Sequence, residues 1–416
     1  MQTDADKMLS PGQALALILD HIKPLGGERV DLLAARGRVL AEDVEAGADT
    51  PPWDNSAMDG YAVRYKDIAA ATPESPAALV MVDDIPAGRV GTRTVGAGQA
   101  TRIMTGAPVP DGADTVVRVE YTQADAPKAG STIHILRPEP RAANIRRRGE
   151  DIASGSVVLR SGTRCEPGEV GMLAAVQHAF VHVFRRPRVA ILSTGDELVE
   201  IDQQLEPGKI VNCNSYSLAA LTSATGAEPV MLPIARDREK DIRQAVVSAL
   251  DADMIVSSGG VSVGEYDYVK KVLDDLGART VLWRVHMKPG KPLFFCMLRD
   301  KPYFGVPGNP VSSMVSFLQF VLPAIRKAAG QAEASWCLPT VAARLDQPVD
   351  NPGDRPHFMR AVLRTVDGQM RVSLPSAQGS HMLTSMLGVN GIAVLQPGQR
   401  AAAGETVPVQ VFAPLL

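Results

Sequence analysis

Three short apolar runs, each stopping at a cluster of small and polar residues, set the pattern in the middle of the chain. VAIL (189–192) leads into STGDEL, MIV (254–256) into SSGGVSVGE, and YFGV (303–306) into PGNPVSSMVSF. Continuous apolar character over so few residues predicts strands buried on both faces. Helical segments alternate with these runs from about 185 to 330, which argues for βαβ units and a mostly parallel sheet. The chain opens differently, on SPGQALALILDHI. There Ser10 can cap a helix, Pro11 fits its first position, and Gln13 completes a capping box. Leu15, Leu19 and Ile22 make one apolar face, with Ile18 beside them.

Elsewhere the period shortens. From about 45 to 145, glycine and proline punctuate runs such as AALVMV, DTVVRVE and TIHIL, the texture of a small β domain. After about 331, RVSL, GIAVLQPG and ETVPVQVF read as strands, with no strong helix. The expected fold class is therefore multidomain, α/β and β: a central, mostly parallel α/β domain with small β-rich domains on both sides in sequence. The N-terminal helix is expected to pack on the α/β part. No repeat of solenoid length is present.

Composition narrows the function classes. At 416 residues the chain exceeds what one core usually serves. Apolar content of 45% with 21% charge is ordinary for a soluble globular protein. A net charge of -3 gives no reason to expect nucleic acid or an anionic membrane as a partner, so any basic site must be local. Cys165, Cys213, Cys296 and Cys337 lie far apart and read as reduced packing residues, which suits a cytoplasmic location. MQTDADKMLSPGQ carries acids and no apolar stretch, so it does not read as a signal peptide, and no apolar run approaches the length of a membrane span.

The turns carry the chemistry. In SSGGVSVGEYDYVK, Gly259 and Gly260 allow positive φ and a close backbone approach. Ser262 and Glu265 have capping-box spacing, so a helix is expected to start near Val263, bury Val269, Val272, Leu273 and Leu276, and end at Gly277. A turn at a strand's carboxyl end and a helix N-terminus is where ligands bind in an open α/β sheet, and its free N–H groups favour an anion. Asp267 is not explained by capping. One reading is an acid near a helix start, worth about 0.3–1 kcal/mol. The other is a metal ligand. Like charges about 4 Å apart repel by roughly 4 kcal/mol at an effective dielectric near 20, so carboxylates facing phosphates need a cation such as Mg²⁺ between them.

STGDEL places Asp196 and Glu197 at a second strand end. In VPGNPVSS, Pro307 and Pro310 stiffen a turn around Gly308 and Asn309, with Asn309 a plausible N-cap and Ser312 just beyond. That loop reads equally as a structural turn or an anion seat. Lys288 and Lys291 of HMKPGKPLFF are either solvated or phosphate-directed. PPWDNSAMDGYAVR (51–64) gathers Trp53, Met58 and Tyr61 with Asp54, Asn55, Ser56 and Asp59, which is unusual for a connector. Arg146 to Arg148 read as a basic turn paired with Glu150 and Asp151. His178 and His182, four apart without an intervening H-E-x-x-H glutamate, read as packing. No glycine loop matches a Walker A or G-x-G-x-x-G pattern, so ATP hydrolysis and hydride transfer lose support.

Taken together, PPWDNSAMDGYAVR, IMTGAPVPDGADTVVRVE, NIRRRGEDI, STGDEL, SSGGVSVGEYDYVK, KPGKP and PGNPVSS, in this order, resemble the MoeA / gephyrin E-domain family of molybdopterin molybdenumtransferases. The resemblance covers nearly the whole chain. It implies a homodimer with four subdomains per chain: 27–45 with 146–180 as a small linking domain, 46–145 as a β-rich insert, 8–26 with 181–330 as the α/β catalytic domain of molybdopterin-binding type, and 331–416 as a C-terminal β domain. It implies a Mg²⁺-dependent reaction in which molybdate enters adenylylated molybdopterin and AMP is released. Contacts with a molybdopterin adenylyltransferase and with recipient molybdoenzymes follow from the same resemblance. So do the roles of residues. Asp267 and Glu197 would face the metal and nucleotide, with Asp237 of IARDR in the same cluster. Lys288, Lys291, Ser312 and the Pro307–Pro310 loop would face molybdate and pterin phosphate. Asp59 and Thr105 would come from the β region, and Arg360 and Ser380 match positions linked to oxyanion binding. Two rivals share part of the pattern. A molybdopterin adenylyltransferase shares the SSGG turn but lacks the DNSAMDGYAVR region and the β-rich tail. A receptor-clustering scaffold would need a linker or fused domain that the sequence does not encode.

Overall fold

The structure, a computed structural model, describes residues 8–124, 128–260 and 268–413. The chain forms two compact units, one built from 1–42, 161–166 and 180–416, the other from 43–160 and 167–179.

The first unit is built around a six-stranded sheet ordered Glu228–Met231, Arg188–Ser193, Met254–Ser258, Lys301–Val306, Pro292–Leu298, Arg279–Arg284. The first four strands run parallel, and Pro292–Leu298 runs antiparallel to both of its neighbours, so the sheet is mixed. The reversal comes from a two-residue hairpin: Arg299 (φ 49°) and Asp300 (φ 63°) both adopt the left-handed conformation that matches strand twist in such a turn. Successive side chains divide between two cores. Val189, Ile191, Met254, Val256, Phe295 and Phe304 face one, which includes the N-terminal helix and the long helix after residue 310. Ala190, Leu192, Ile255, Phe294 and Tyr303 face the other, under Ile242, Val246, Val272 and Leu273. Helices thus cover both faces, and the central strands between them are largely apolar on both sides.

The helix Pro11–Asp20 starts as the sequence predicts, with Ser10 and Gln13 forming a capping box. Its buried stripe differs: Ala14, Ile18 and, just beyond the helix, Ile22 are buried, while Leu15 and Leu19 flank them half-covered. The helix start expected near Val263 lies outside the described residues. Downstream of it, the helix Tyr268–Asp275 buries Val269, Val272 and Leu273, and Gly277 follows with φ 82°.

The same unit contains a closed five-stranded barrel of Thr340–Leu345, Gln369–Ser373, His357–Val366, Gly391–Leu395 and Thr406–Val411, filled by Ala343, Leu345, Ala361, Leu363, Val372 and Val409. Backbone bonds join this barrel to the KPGKP loop. Lys288 N–H donates to the Pro356 carbonyl (2.9 Å), Phe358 N–H donates to the Lys288 carbonyl (2.7 Å), and Arg355 Nη1 donates to the Met287 carbonyl (3.2 Å).

The second unit carries a six-stranded sheet ordered Thr115–Arg118, Gly60–Val63, Gln99–Ile103, Ala77–Ile85, Thr132–Ile135, Thr122–Gln123. Gly60 sits so tightly against the neighbouring strand that a Cβ there would lie 2.0 Å from the Val117 carbonyl oxygen. The basic turn pairs mainly with acids other than those expected: Arg147 Nη1 bonds Asp54 (2.6 Å) and Arg148 bonds Asp49, although the Arg147 N–H does donate to Glu150 (2.7 Å). Both aspartates flank PPW, so the turn fixes that segment.

Two packing expectations need correction. His182 is exposed beside Glu42, and His178 bonds the Glu45 carbonyl, so neither histidine is a core residue. Cys165 and Cys296 are buried, but Cys337 is exposed and Cys213 only partly covered. Burial among apolar neighbours pushes the Cys296 thiol up to about 12, which makes it inert.

Candidate functional site

The turns singled out above leave the same edge of the parallel strands. After Arg188–Ser193, the chain bends at Gly195, where the Glu197 carboxylate curls back so closely that a Cβ would meet it at 2.6 Å. After Met254–Ser258 come Gly259 (φ 89°) and Gly260 (φ 64°). A Cβ on Gly260 would lie 2.4 Å from Val269 and 2.9 Å from the Thr194 hydroxyl, so both space and conformation demand glycine. Ser262 and Asp267 lie outside the described residues. After Lys301–Val306, the buried Pro307 leads to Gly308, Asn309 and the helix Pro310–Ser316. Asn309 occupies the N-cap position, but its side chain does not cap. It donates instead to Ser380 Oγ at 3.4 Å.

Between these turns lies a cavity of about 300 Å³ lined by Thr194, Glu197, Asn214, Ser258, Gly259, Asn309, Pro310 and His381, with Leu198, Ile210 and Val211 as an apolar side. The structure therefore brings Glu197, Gly259, Asn309 and Pro310 to one space. Ser380 joins their rim through the Val311 N–H, which donates to its carbonyl at 3.2 Å. Ser312 is buried in the first turn of the adjoining helix. Lys288 and Lys291 are exposed on a loop whose backbone is fixed by the barrel. Asp59 and Thr105 belong to the other unit and bond each other. The Asp59 carboxylate accepts from the Thr105 N–H and hydroxyl, both at 2.7 Å, and the N–H first, then the hydroxyl, hold its carboxyl below the usual range.

At the acidic end, Asp196 and Asp237 bracket one another. Asp196 N–H donates to Asp237 and Asp237 N–H donates to Asp196, each at 3.2 Å. Burial, with Asp196 and Glu197 nearby, raises the Asp237 carboxyl above its ordinary value. Among the described residues no three His, Cys, Asp or Glu side chains are close enough to hold a metal. A raised acid binds its proton more tightly folded than unfolded, so this group lowers stability as pH rises above about 4, the unfolded carboxyl's range. Asp237→Asn is accordingly expected to melt higher than the native protein at pH 7 and equally at pH 3. Thermal melts across that range check it, and an unchanged melting point at pH 7 refutes it.

Arg360, on the barrel strand His357–Val366, is fully buried and is not among the residues lining the cavity between the turns. Its Nε donates to Ser385 Oγ (3.2 Å), and its Nη2 donates to the carbonyls of Ala377 (3.3 Å) and Gly379 (3.2 Å). Its Nη1 has no partner among the described residues, and burial lowers the guanidinium to about 10. A buried cation bonded to neutral oxygens alone costs stability.

Sequence reasoning missed Thr194, Asn214 and His381. Asn212, the N-cap of the helix Cys213–Ala224, is a signal available in the run NCNSYS, since it marks another turn entering a helix.

An α/β domain with glycine turns and acids at its strand ends, beside a barrel that buries a guanidinium, has the layout of the class in which ligands bind outside the carboxyl ends of the strands. Comparison sharpens the class. Residues 9–176 match the MoeA N-terminal region (domain I and II), 190–327 a probable molybdopterin binding domain, and 342–412 the MoeA C-terminal region (domain IV). A molybdopterin molybdenumtransferase from Nostoc sp. is 42% identical over 379 residues, covering 89% of this chain and 85% of that relative. One from Haemophilus influenzae is 36% identical over 414 residues, covering 98% and 100%. The crystal structure of the molybdopterin biosynthesis moeA protein from Pyrococcus horikoshii OT3 superposes with a TM-score of 0.83 at 31% identity, covering 98% of this chain and 100% of that one. The chain belongs to the MoeA family.

Proposed function

We propose that this protein is a molybdopterin molybdenumtransferase, a transferase that inserts molybdenum into molybdopterin during molybdenum cofactor biosynthesis. In this reading the substrates are adenylylated molybdopterin and molybdate. The two dithiolene thiols displace molybdate oxygen, which leaves as water with the thiol protons, and a water molecule attacks the phosphoanhydride, leaving the pterin phosphate and releasing AMP. The observation that carries it is Arg360, a buried guanidinium with an unpaired Nη1 and only neutral oxygens around it among the described residues. That environment favours a small oxyanion over a solvated counter-ion.

The Gly259–Gly260 turn and the loop of Pro307, Asn309 and Pro310, with Ser312, would hold the nucleotide and pterin phosphate. The prolines carry no N–H and shape the loop, and the Gly259 N–H donates to the Val306 carbonyl (3.3 Å), so Gly260, Gly308 and Asn309 would be the backbone donors. Lys288 and Lys291 would neutralise charge at the fixed loop, and Arg360 with Ser380 would seat molybdate. Asp59 and Thr105 would contribute as a pre-oriented pair. Carboxylate oxygens are the hard donors that Mg²⁺ takes, and the Asp237 carboxyl, raised by burial and by its acidic neighbours, is one that a nearby cation would relieve. Asp267 and Glu197 would hold that ion, with Asp237 in the same cluster, and the ion would supply charge neutralisation for the phosphates. The protein's own contribution is electrostatic positioning. The reading further includes a homodimer working in the cytoplasm, the four-part division of the chain, and contact with an adenylyltransferase and recipient molybdoenzymes.

Purified protein given adenylylated molybdopterin, molybdate and Mg²⁺ is expected to release AMP only when molybdate is present, and to activate an apo-molybdoenzyme. Formation of adenylylated molybdopterin from ATP and molybdopterin would favour the adenylyltransferase instead. Neither activity from folded protein would overturn both.

A further inference from the structure

We infer that Asn214 is a positioning residue that sets the distance between the two turns proposed to hold the substrate's phosphates; this rests on the site reading above. Asn214 lies in the first turn of the helix Cys213–Ala224, on a fourth segment that the motifs of the chain do not mark. Its Nδ2 donates to Ser258 Oγ at 2.7 Å and to the Gly308 carbonyl at 2.8 Å. Ser258 ends the central strand just before the two glycines, and Gly308 is the middle of the proline-flanked turn. One amide therefore ties both turns.

The orientation of the amide is not arbitrary. The Gly308 carbonyl can only accept, so the nitrogen of Asn214 must face it. Its two N–H bonds are then both used, and Oδ1 accepts weakly from the Cys213 thiol, at 3.8 Å. All of these groups line the 300 Å³ cavity. A mainly backbone-built phosphate seat has few side chains to set its width, and a Cβ on Gly308 would lie only 3.9 Å from the Gly259 Cα. The sheet ladder holds the two strand ends together as far as Val306, whose carbonyl accepts from the Gly259 N–H at 3.3 Å, but the proline-flanked turn beyond it needs a further tie. Asn214 supplies it, and the helix behind it is anchored by Asn212, whose side chain accepts from the Ser215 N–H. The consequence is that losing the amide should widen the seat and weaken ground-state binding more than turnover.

The test is calorimetric titration of AMP, with Mg²⁺, into the native protein, Asn214→Ala and Asn214→Ser, with melting curves and AMP-release kinetics on each. Asn214→Ala is expected to weaken AMP binding about tenfold or more and to raise KM likewise, with kcat changed less than about threefold. Asn214→Ser, whose hydroxyl stands one bond short of the amide nitrogen, should recover at most a small part of the affinity. If Asn214→Ala does not fold, Ser258→Ala, which removes one partner and leaves the helix intact, takes its place with the same expected direction at about threefold. Native protein that binds AMP while both substitutions bind it equally well overturns this inference alone. Native protein that fails to bind AMP overturns the site reading on which it rests. A fall in kcat with KM unchanged also overturns the inference, because the amide would then act in turnover and not in positioning.

Discussion

Arg360→Met is expected to abolish molybdate-dependent AMP release, by roughly 100-fold or more in kcat/KM, while leaving the fold intact. The magnitude follows from removing a preorganised, buried donor. The stability side follows from the same burial. The guanidinium carries its charge among neutral oxygens, and methionine of similar length removes that desolvation penalty while forfeiting the bonds to Ala377, Gly379 and Ser385. The two effects oppose, so the melting temperature should move only a few degrees. Initial rates across a molybdate series, alongside a melt, check both halves. A variant within about threefold of native kcat/KM would remove Arg360 from the reaction, and collapse of the melt would make it a structural residue.

Gly60→Ala should have the largest effect on stability. Its backbone needs no special φ, but the added methyl would meet the Val117 carbonyl at 2.0 Å, and the backbone across the strand pair cannot step aside without breaking the ladder. We expect a loss of about 3 kcal/mol. Hydrogen exchange should accelerate over the strands Gly60–Val63 and Thr115–Arg118, while Arg188–Ser193 keeps its protection. Because Gly60 follows Asp59, the paired Asp59 and Thr105 should loosen together. Unchanged exchange in the Gly60 strand would refute this expectation.

How much of this the chain discloses depends on how local each feature is. VAIL, MIV and YFGV are legible because strands covered on both faces have no polar positions to blur them. The edge strand Glu228–Met231, only partly buried, has no such run and gives no signal. The antiparallel end of the sheet is hidden because its hairpin turns on Arg299 and Asp300, where a glycine or asparagine would announce the left-handed conformation. Glycine turns betray the site for the opposite reason: their conformational demands are written in single residues. The role of Asn214 is not, since its partners lie 44 and 94 residues away in sequence. Arg360 is similar. The motif flags the position, but only packing reveals that no acid among the described residues answers its charge.

The stitching of the KPGKP loop to the barrel bears on how such a protein can be taken apart. Lys288 pairs in parallel with His357, bonding on both sides of it, so one stretch of backbone serves two domains at once. A barrel excised at residue 331 would therefore leave behind more than a bare surface: the loop bearing Lys288 would lose the hydrogen bonds that give it a shape. For protein engineering, the α/β domain and the barrel are a single inheritable part, and a graft that exchanges one must carry the other.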